Sequence, residues 1–278
     1  MSDVIVKIGN SVIQHGEHND RIYLMKLFSD NVPELLVELN LLAYKHKYTK
    51  IFAKIPYNVK ELLINYGYTT EACVPGFFSG EEAGFFMSKY FYSERKNNKN
   101  KEEISNILKA CFEKAKKLES IFALKEGFYF RLTNIEDVYQ MADLYKKIFK
   151  TYPFPINDPD YLKQTMDENT DYFGIWQNNN LIALSSLEKD LDSQNSEMTD
   201  FAVLPEYRGN GFAAFLLQEM EKSAKIQGIK ISYTIARALS FGMNICFAKS
   251  GYSFAGTLLN NTNICGNLES MNVWYKYL

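Results

Sequence analysis

A chain of 278 residues with formal net charge −2, 46% hydrophobic and 23% charged, has the make-up of a folded protein of one large or two ordinary domains. That balance excludes a general electrostatic pull toward nucleic acid or anionic membrane, and no apolar run approaches the roughly 20 residues of a membrane helix.

The N-terminal segment "MSDVIVKIGNSVIQHG" has no basic region followed by an apolar core, so a cytoplasmic location is expected. His15, Glu17, His18 and Asp20 follow, and two histidines three apart suggest a metal pair. No third helical ligand or cysteine completes it, so a polar turn between two strands is expected and no metal. "DRIYLMKL" reads as strand, "VPELLVELNLLAYKHKY" as helix, "TKIFAKIP" as strand and "VKELLINYGY" as a short helix, with strands near "EACVPGFF" and "AGFFMSKYF". These make residues 1–92 an α/β module.

"SERKNNKNKEE" is polar and lacks interleaved aromatics, so an exposed linker is expected rather than a nucleic-acid patch. Ile104, Ile107, Leu108, Cys111, Phe112, Ala115 and Leu118 then recur at spacings of three and four, the stripe of an amphipathic connector helix. Residues 93–127 form this connection. Cys73, Cys111, Cys246 and Cys265 form no close pair, and buried free thiols are expected of them.

From residue 128 a second α/β module begins. "GFYFRL" is a strand, Thr133 and Glu136 fit a capping box opening a helix through Ile148, and Asp158-Pro159 starts another. "DYFGIWQ", "NNN" and "LIALSSLE" make a hairpin. "SEMTDFAVL" is a strand and Phe212 to Gln227 a helix stopped by Gly228. The strand "IKISYTIA" and a short helix ended by Gly251 lead to two final strands, near "YSFAGTL" and "ESMNVWYK". The second half of this order repeats the N-terminal module, where only "SDNVP" stands at the point taken here by a glycine segment.

That segment is "PEYRGNGFAAFLLQEM". A strand, a glycine turn and a helix start make an anion site, because first-turn N–H groups are free and the helix dipole adds positive charge. No Gly-Lys-Ser/Thr follows, and a third glycine is absent, so neither common nucleotide-binding pattern fits. Arg208-Gly209-Asn210-Gly211-Phe212-Ala213 does match Arg/Gln-x-x-Gly-x-Gly/Ala. This is the pyrophosphate signature of the GNAT superfamily of N-acetyltransferases, which residues 128–278 resemble. The resemblance implies an α/β (α+β mixed-sheet) GNAT fold preceded by a half-GNAT-like module, and acetyl-CoA as cosubstrate. It implies that Phe201, Ala202 and Val203 bind the pantetheine arm through strand backbone. Arg208, Gly209, Asn210, Gly211, Phe212 and Ala213 would hold the pyrophosphate, with Asn244 also at the cofactor.

"IQHGEHNDRIYLMK", "TKIFAKIP", "VPGFFSGEE", "MTDFAVLPEYRGNG", "GMNICFAKSGY" and "AGTLLNNTNICGNLESMNVWYK" together resemble the beta-lysine N-acetyltransferases. This likeness spans nearly the whole chain. It implies a small diamino acid as substrate and a compatible solute as product; a homodimer is an open expectation.

Acetylating an alkyl amine requires removing a proton, since roughly one amine in a few thousand is free base at neutral pH. Glu197, on the strand ending at Val203, is the first candidate base, as GNAT members with a strand glutamate carry it there. Strict alternation places it on one face with Thr199 and Phe201, and Asp200, the second candidate, on the other unless a bulge intervenes. Phe247 stands where many members have a tyrosine proton donor; Tyr233 and Tyr252 are substitutes, and the donor is left unassigned. Arg237 is a candidate for the substrate carboxylate, and Asn261, Asn263 and Glu269, in and just after the connection "NNTNICGNLES", for its charged groups. Two alternatives stay open: a GNAT enzyme for a polyamine or protein lysine, and a non-catalytic acetyl-CoA-binding module.

Overall fold

The computed structural model describes residues 3–28, 31–116 and 122–278. Ser29, Asp30 and Leu118, named above in the "SDNVP" segment and the connector stripe, lie outside the described residues.

Alternating apolar and polar residues give the hairpin β1 (Val4–Ile8) and β2 (Ser11–Gly16), followed by β3 (Arg21–Lys26). α1 (Val32–His46) starts at Asn31, whose side chain accepts the Glu34 N–H, and buries Leu35, Leu36, Leu39 and Ala43 at helical spacing. β4 (Lys50–Pro56), α2 (Lys60–Asn65), β5 (Thr69–Phe78) and β6 (Glu82–Tyr90) complete the first half. Two helices, α3 (Ser93–Lys96) and α4 (Lys101–Ala115), lead on. The second half runs β7 (Tyr129–Leu132), α5 (Val138–Ile148), α6 (Pro159–Glu168), β8 (Thr170–Gln177), β9 (Asn180–Asp190) and β10 (Asn195–Val203). It closes with α7 (Phe212–Ile226), β11 (Ile231–Arg237), α8 (Phe241–Lys249), β12 (Ser253–Ile264) and β13 (Asn267–Tyr277).

All these strands join one mixed sheet, in the order β1-β2-β3-β4-β6-β5-β12-β13-β11-β10-β9-β8-β7. The halves share a pairing scheme. β3 is parallel to β4, which pairs antiparallel with β6, itself beside β5. β10, β11, β13 and β12 repeat that arrangement. The halves meet where β5 and β12 pair, at Ala72 opposite Gly256. Gly256 has φ +151°, and a Cβ there would overlap the Glu71 carbonyl oxygen and come within 2.7 Å of Ala72 Cα. Only glycine lets the two backbones approach so closely. Beside the seam, the Glu71 carboxylate accepts from Lys50 Nζ at 3.1 Å, from the Leu259 N–H at 2.9 Å, and from the hydroxyls of Ser88 and Tyr90.

The sheet is strongly curved. Lys54 on β4 donates to the Tyr233 hydroxyl on β11 at 2.9 Å although several strands separate them, and Gln14 on β2 reaches the Pro153 carbonyl, in the segment between α5 and α6, at 2.9 Å. The concave face carries Tyr23, Phe52, Phe77, Phe86, Tyr233 and Met271 in one cluster. α7 packs Leu216, Leu217 and Met220 against Phe173, Ile175 and Met198 on the opposite face of the second half.

Three local expectations change. The cap before α5 is Asn134 with Asp137, one residue beyond the Thr133–Glu136 box, because Asn134 accepts from Glu136 while Asp137 accepts from the Asn134 N–H. Asn261 and Asn263 lie within β12 rather than in a connection; the turn is at Cys265–Gly266. The polar linker is anchored as well: Arg95 is buried, paired with Asp20 at 3.1 Å and bonded to the Asn19 and Asn260 carbonyls.

Candidate active site

β10 and β11 begin as a registered parallel pair, Asn195–Ile231 to Glu197–Tyr233, and register ends there. Beyond that point β10 stays with β9 and β11 with β13, so a wedge opens between Met198–Val203 and Thr234–Arg237. A cleft of about 600 Å³ occupies this wedge, lined by Thr199, Asp200, Phe201, Val203, Thr234 and Ala236 among others. Strand edges that part in this way present unpaired N–H and C=O groups to whatever enters.

The glycine turn forms one end of the cleft, where Arg208, Gly209, Gly211, Phe212 and Ala213 line it. Gly209 and Gly211 adopt φ +82° and +79°, and a Cβ on Gly209 would meet no atom within 4 Å. Their conformation calls for glycine and the space beside them is open. The first bond closing α7 runs from the Phe215 N–H to the Gly211 carbonyl at 3.0 Å, so the amides before it are the free donors of a first turn. Arg208 is exposed, with Nε 3.3 Å from the Val203 carbonyl. The Asn210 side chain is engaged with Tyr207 and Lys125, leaving its backbone as the usable part.

A bulge between Thr199 and Ala202, with Asp200 at φ 55°, changes the phase of β10. Asp200 thereby joins Glu197 and Thr199 on the concave side, accepting from Ser186 Oγ at 2.6 Å and from the Tyr152 hydroxyl. Phe201 turns to the other face, edge-on to Phe247 at 5.7 Å, contrary to strict alternation. Ala202 packs with the α5 cluster.

Three carboxylates thus converge from β9 and β10. Burial pushes Glu197 above the usual carboxylate range; the Lys54 ammonium and Tyr233 hydroxyl oppose this, and Asp200 adds to it. Glu188 lies well above that range, by burial and then the charges of Glu197 and Asp200. Burial also raises Asp200, against its hydrogen bonds. Glu188 and Glu197 keep water-accessible surface while protein surrounds them, as expected of residues lining a deep concavity. Facing them from the first half are Arg21 and Tyr23 on β3 and Lys54 on β4. Burial works against the Lys54 ammonium, but Tyr23, Tyr233 and Glu197 hold it protonated well past the usual lysine range.

Residues 137–252 match the model of the Acetyltransferase (GNAT) family. A beta-lysine N(6)-acetyltransferase of Methanococcus maripaludis is 44% identical over 98% of both chains. The N-acetyltransferase YodP of Bacillus subtilis is 32% identical over 96% of both, and a beta-lysine N(6)-acetyltransferase of Methanosarcina mazei is 30% identical over 90% of this chain and 99% of its own.

The chain belongs to the GNAT acetyltransferase family.

It is an N-acetyltransferase, and its glycine turn follows β10 and opens α7. Other expected site residues take different places. Asn244 is fully buried and spends its side chain inside the protein. Its Nδ2 donates to the Arg237 and Ser240 carbonyls at 2.9 and 2.8 Å, and its Oδ1 accepts from Asn272 and Trp274 at 2.8 and 2.9 Å. It fastens the β11–α8 turn and does not line the cleft. Arg237 does line it, but its guanidinium is already paired with Glu269, Nε to Oε2 at 2.8 Å plus a second bond from Nη2. These two neutralise each other, contrary to their expected separate substrate roles. Asn263 is tied to the first half, its N–H donating to Asn19 Oδ1 at 2.8 Å and its Nδ2 to the His18 carbonyl at 2.9 Å. The carbonyl of buried Asn261 accepts from Arg21 Nη1 at 2.6 Å.

Of the two substitute tyrosines, Tyr252 packs on the opposite side with Ser232 and Phe247, whereas Tyr233 stands opposite Glu197. The early polar cluster is also split: His15 faces His46 and Tyr48, the His18 N–H donates to Asp3, and Asp20 pairs with Arg95. Among the described residues no group of three or more His, Cys, Asp and Glu side chains is placed to hold a metal.

Sequence reading missed Glu188, Arg21, Tyr23, Lys54 and Tyr152. A signal for Glu188 was present: it closes the strand "LIALSSLE", and β9 pairs antiparallel with β10 so that it stands across from Glu197. Arg21, Tyr23 and Lys54 reach the site only through the curvature of the sheet, and Tyr152 reaches Asp200 from the segment between α5 and α6.

Proposed function

We propose that the protein transfers the acetyl group of acetyl-CoA to the terminal amine of beta-lysine. The observation that carries this reading is the convergence of Glu197, Asp200 and Glu188 on one concave wall beside the wedge that leads to the glycine turn. Two relatives named for this reaction, matched over nearly the full length, support the choice of substrate.

The free amides of the glycine turn and Arg208 fit the pyrophosphate, and the parted edges of β10 and β11 fit the pantetheine arm. Acetyl-CoA supplies an activated thioester that a neutral amine can attack. The chain's own task is to deliver that neutral amine. The carboxylate wall attracts the substrate's ammonium groups. Glu197 is the base, its elevated proton affinity bringing it nearer to the working pH than an ordinary glutamate. Tyr233 and Lys54 hold it in its ionised form before the proton arrives. Asp200, fixed by Ser186 and Tyr152, positions the second face of the amine site. Beta-lysine carries two ammonium groups and one carboxylate, so acetylating one amine yields a net-neutral zwitterion. That property suits a product accumulated as a compatible solute.

The test is steady-state thiol release from acetyl-CoA with beta-lysine for the wild type and Glu197→Gln. Loss of the base is expected to lower kcat by about 10²- to 10⁴-fold with acetyl-CoA affinity retained. A Glu197→Gln enzyme within threefold of wild type would remove Glu197 from the mechanism.

A further inference from the structure

We propose that Arg21, contributed by the N-terminal half, recognises the carboxylate of the substrate and so makes the first half of the chain the determinant of selectivity for an amino acid over a plain amine. The proposal rests on the substrate reading above.

Arg21 opens β3 and is only 3% exposed. Its guanidinium carbon lies 5.3 Å from the Tyr23 ring centre and 5.8 Å from that of Phe52. Nη1 donates to the Asn261 carbonyl at 2.6 Å and to Thr262 Oγ1 at 3.1 Å. Nε is buried without a partner. Nη2 makes no hydrogen bond among the described residues. The Nε–Nη2 edge, one that can meet a carboxylate with two parallel hydrogen bonds, is therefore unused.

Apart from the exposed Arg208, the other arginines each have an anion. Buried Arg95 has Asp20, Arg131 has Asp137, and Arg237 has Glu269. Arg21 forms no ion pair among the described residues. A buried guanidinium without an anion is costly, and a fixed hydrogen-bonding edge beside it is the arrangement expected where the anion comes from a ligand.

A chain of contacts connects this group to the reacting end. Lys54 Nζ lies 5.5 Å from the Tyr23 ring centre and donates to the Tyr233 hydroxyl, and Tyr233 stands opposite Glu197 in the strand register. Arg21 and Glu197 thus terminate a single polar track across the concave face. A molecule with a carboxylate at one end and an amine at the other matches its polarity. Asn261, whose carbonyl fixes Arg21, has its side-chain Oδ1 buried and unpartnered, which supplies an acceptor for an ammonium borne close to the carboxylate.

The experiment measures kcat and KM of the full-length enzyme for beta-lysine and for beta-lysinamide, in which a neutral amide replaces the carboxylate. Wild type is expected to prefer beta-lysine by roughly 30- to 100-fold in kcat/KM, mostly through KM. Arg21→Gln should reduce that preference to about threefold or less, and Arg21→Lys should give an intermediate value because lysine lacks the fork. Wild type acting equally on both compounds overturns the proposal without any variant, so misfolding of Arg21→Gln cannot protect it. A folded Arg21→Gln enzyme that loses both substrates equally, with acetyl-CoA binding intact, also overturns it and leaves Arg21 a clamp on β12. Failure of the wild type to acetylate beta-lysine at all, while acetylating another amine, overturns the substrate reading and this proposal with it.

Discussion

Truncating Asn244 to alanine separates a structural asparagine from a cofactor ligand. The side chain gives hydrogen bonds to the Arg237, Ala238 and Ser240 carbonyls and receives them from Asn272 Nδ2 and Trp274 Nε1. Asn244→Ala leaves the last two donors buried with no acceptor. At about 1–3 kcal/mol for each buried group left unpaired, the two donors alone cost about 2–6 kcal/mol. A domain has only about 5–15 kcal/mol in total, so the loss is a large share of it. Urea unfolding followed by tryptophan fluorescence reads the effect, and Trp274 itself reports on the altered site. Because the residue fastens the β11–α8 turn, the KM for acetyl-CoA should rise only in company with this destabilisation. A variant that keeps its stability within 1 kcal/mol while losing acetyl-CoA affinity would refute the reasoning and make Asn244 a ligand.

Other substitutions probe separate parts of the account. Gly256→Ala forces a Cβ onto the β5 backbone at the seam, and should cost more than about 3 kcal/mol in unfolding measurements; a soluble variant with an unchanged midpoint would contradict the close approach. Gly209→Ala meets no steric obstacle in the protein but must hold φ +82°, a strain of about 1–2 kcal/mol, so a rise of roughly 5- to 30-fold in KM for acetyl-CoA is expected with kcat preserved. The base must be ionised, and Glu197 is raised above the usual range, so activity should fall on acidification at a higher pH than an ordinary glutamate would impose, and Glu197→Gln should lack that limb. Lys54 favours the ionised base, so Lys54→Met should move the limb to higher pH; a shift to lower pH would reverse the assigned electrostatics.

Local patterns in the sequence carried much of the catalytic half. The Arg208–Ala213 motif, the strand before it and the helix after it are contiguous, and their order alone marked the candidate anion site. The apolar alternation of β8 to β10 likewise marked the strand bearing Glu197. What alternation could not supply was the bulge at Asp200, where one residue in a left-handed conformation reverses every later side chain and sends Phe201 to the opposite face. Partner choice among charged residues was equally hidden. Arg237 and Glu269 were each plausible substrate contacts, but β11–β13 pairing sets them side by side. The largest omission was the role of the first half. Its elements were readable, yet Arg21 and Asn261 are 240 residues apart and meet only because the sheet bends across a seam that depends on Gly256.

The most direct measurement is to incubate the full-length protein with acetyl-CoA and beta-lysine and to locate the acetyl group in the product by NMR. The account predicts a single monoacetylated product bearing the acetyl group on the terminal amine, formed in step with thiol release. Acetylation of the inner amine, or thiol release only with a polyamine or a protein lysine, would contradict it.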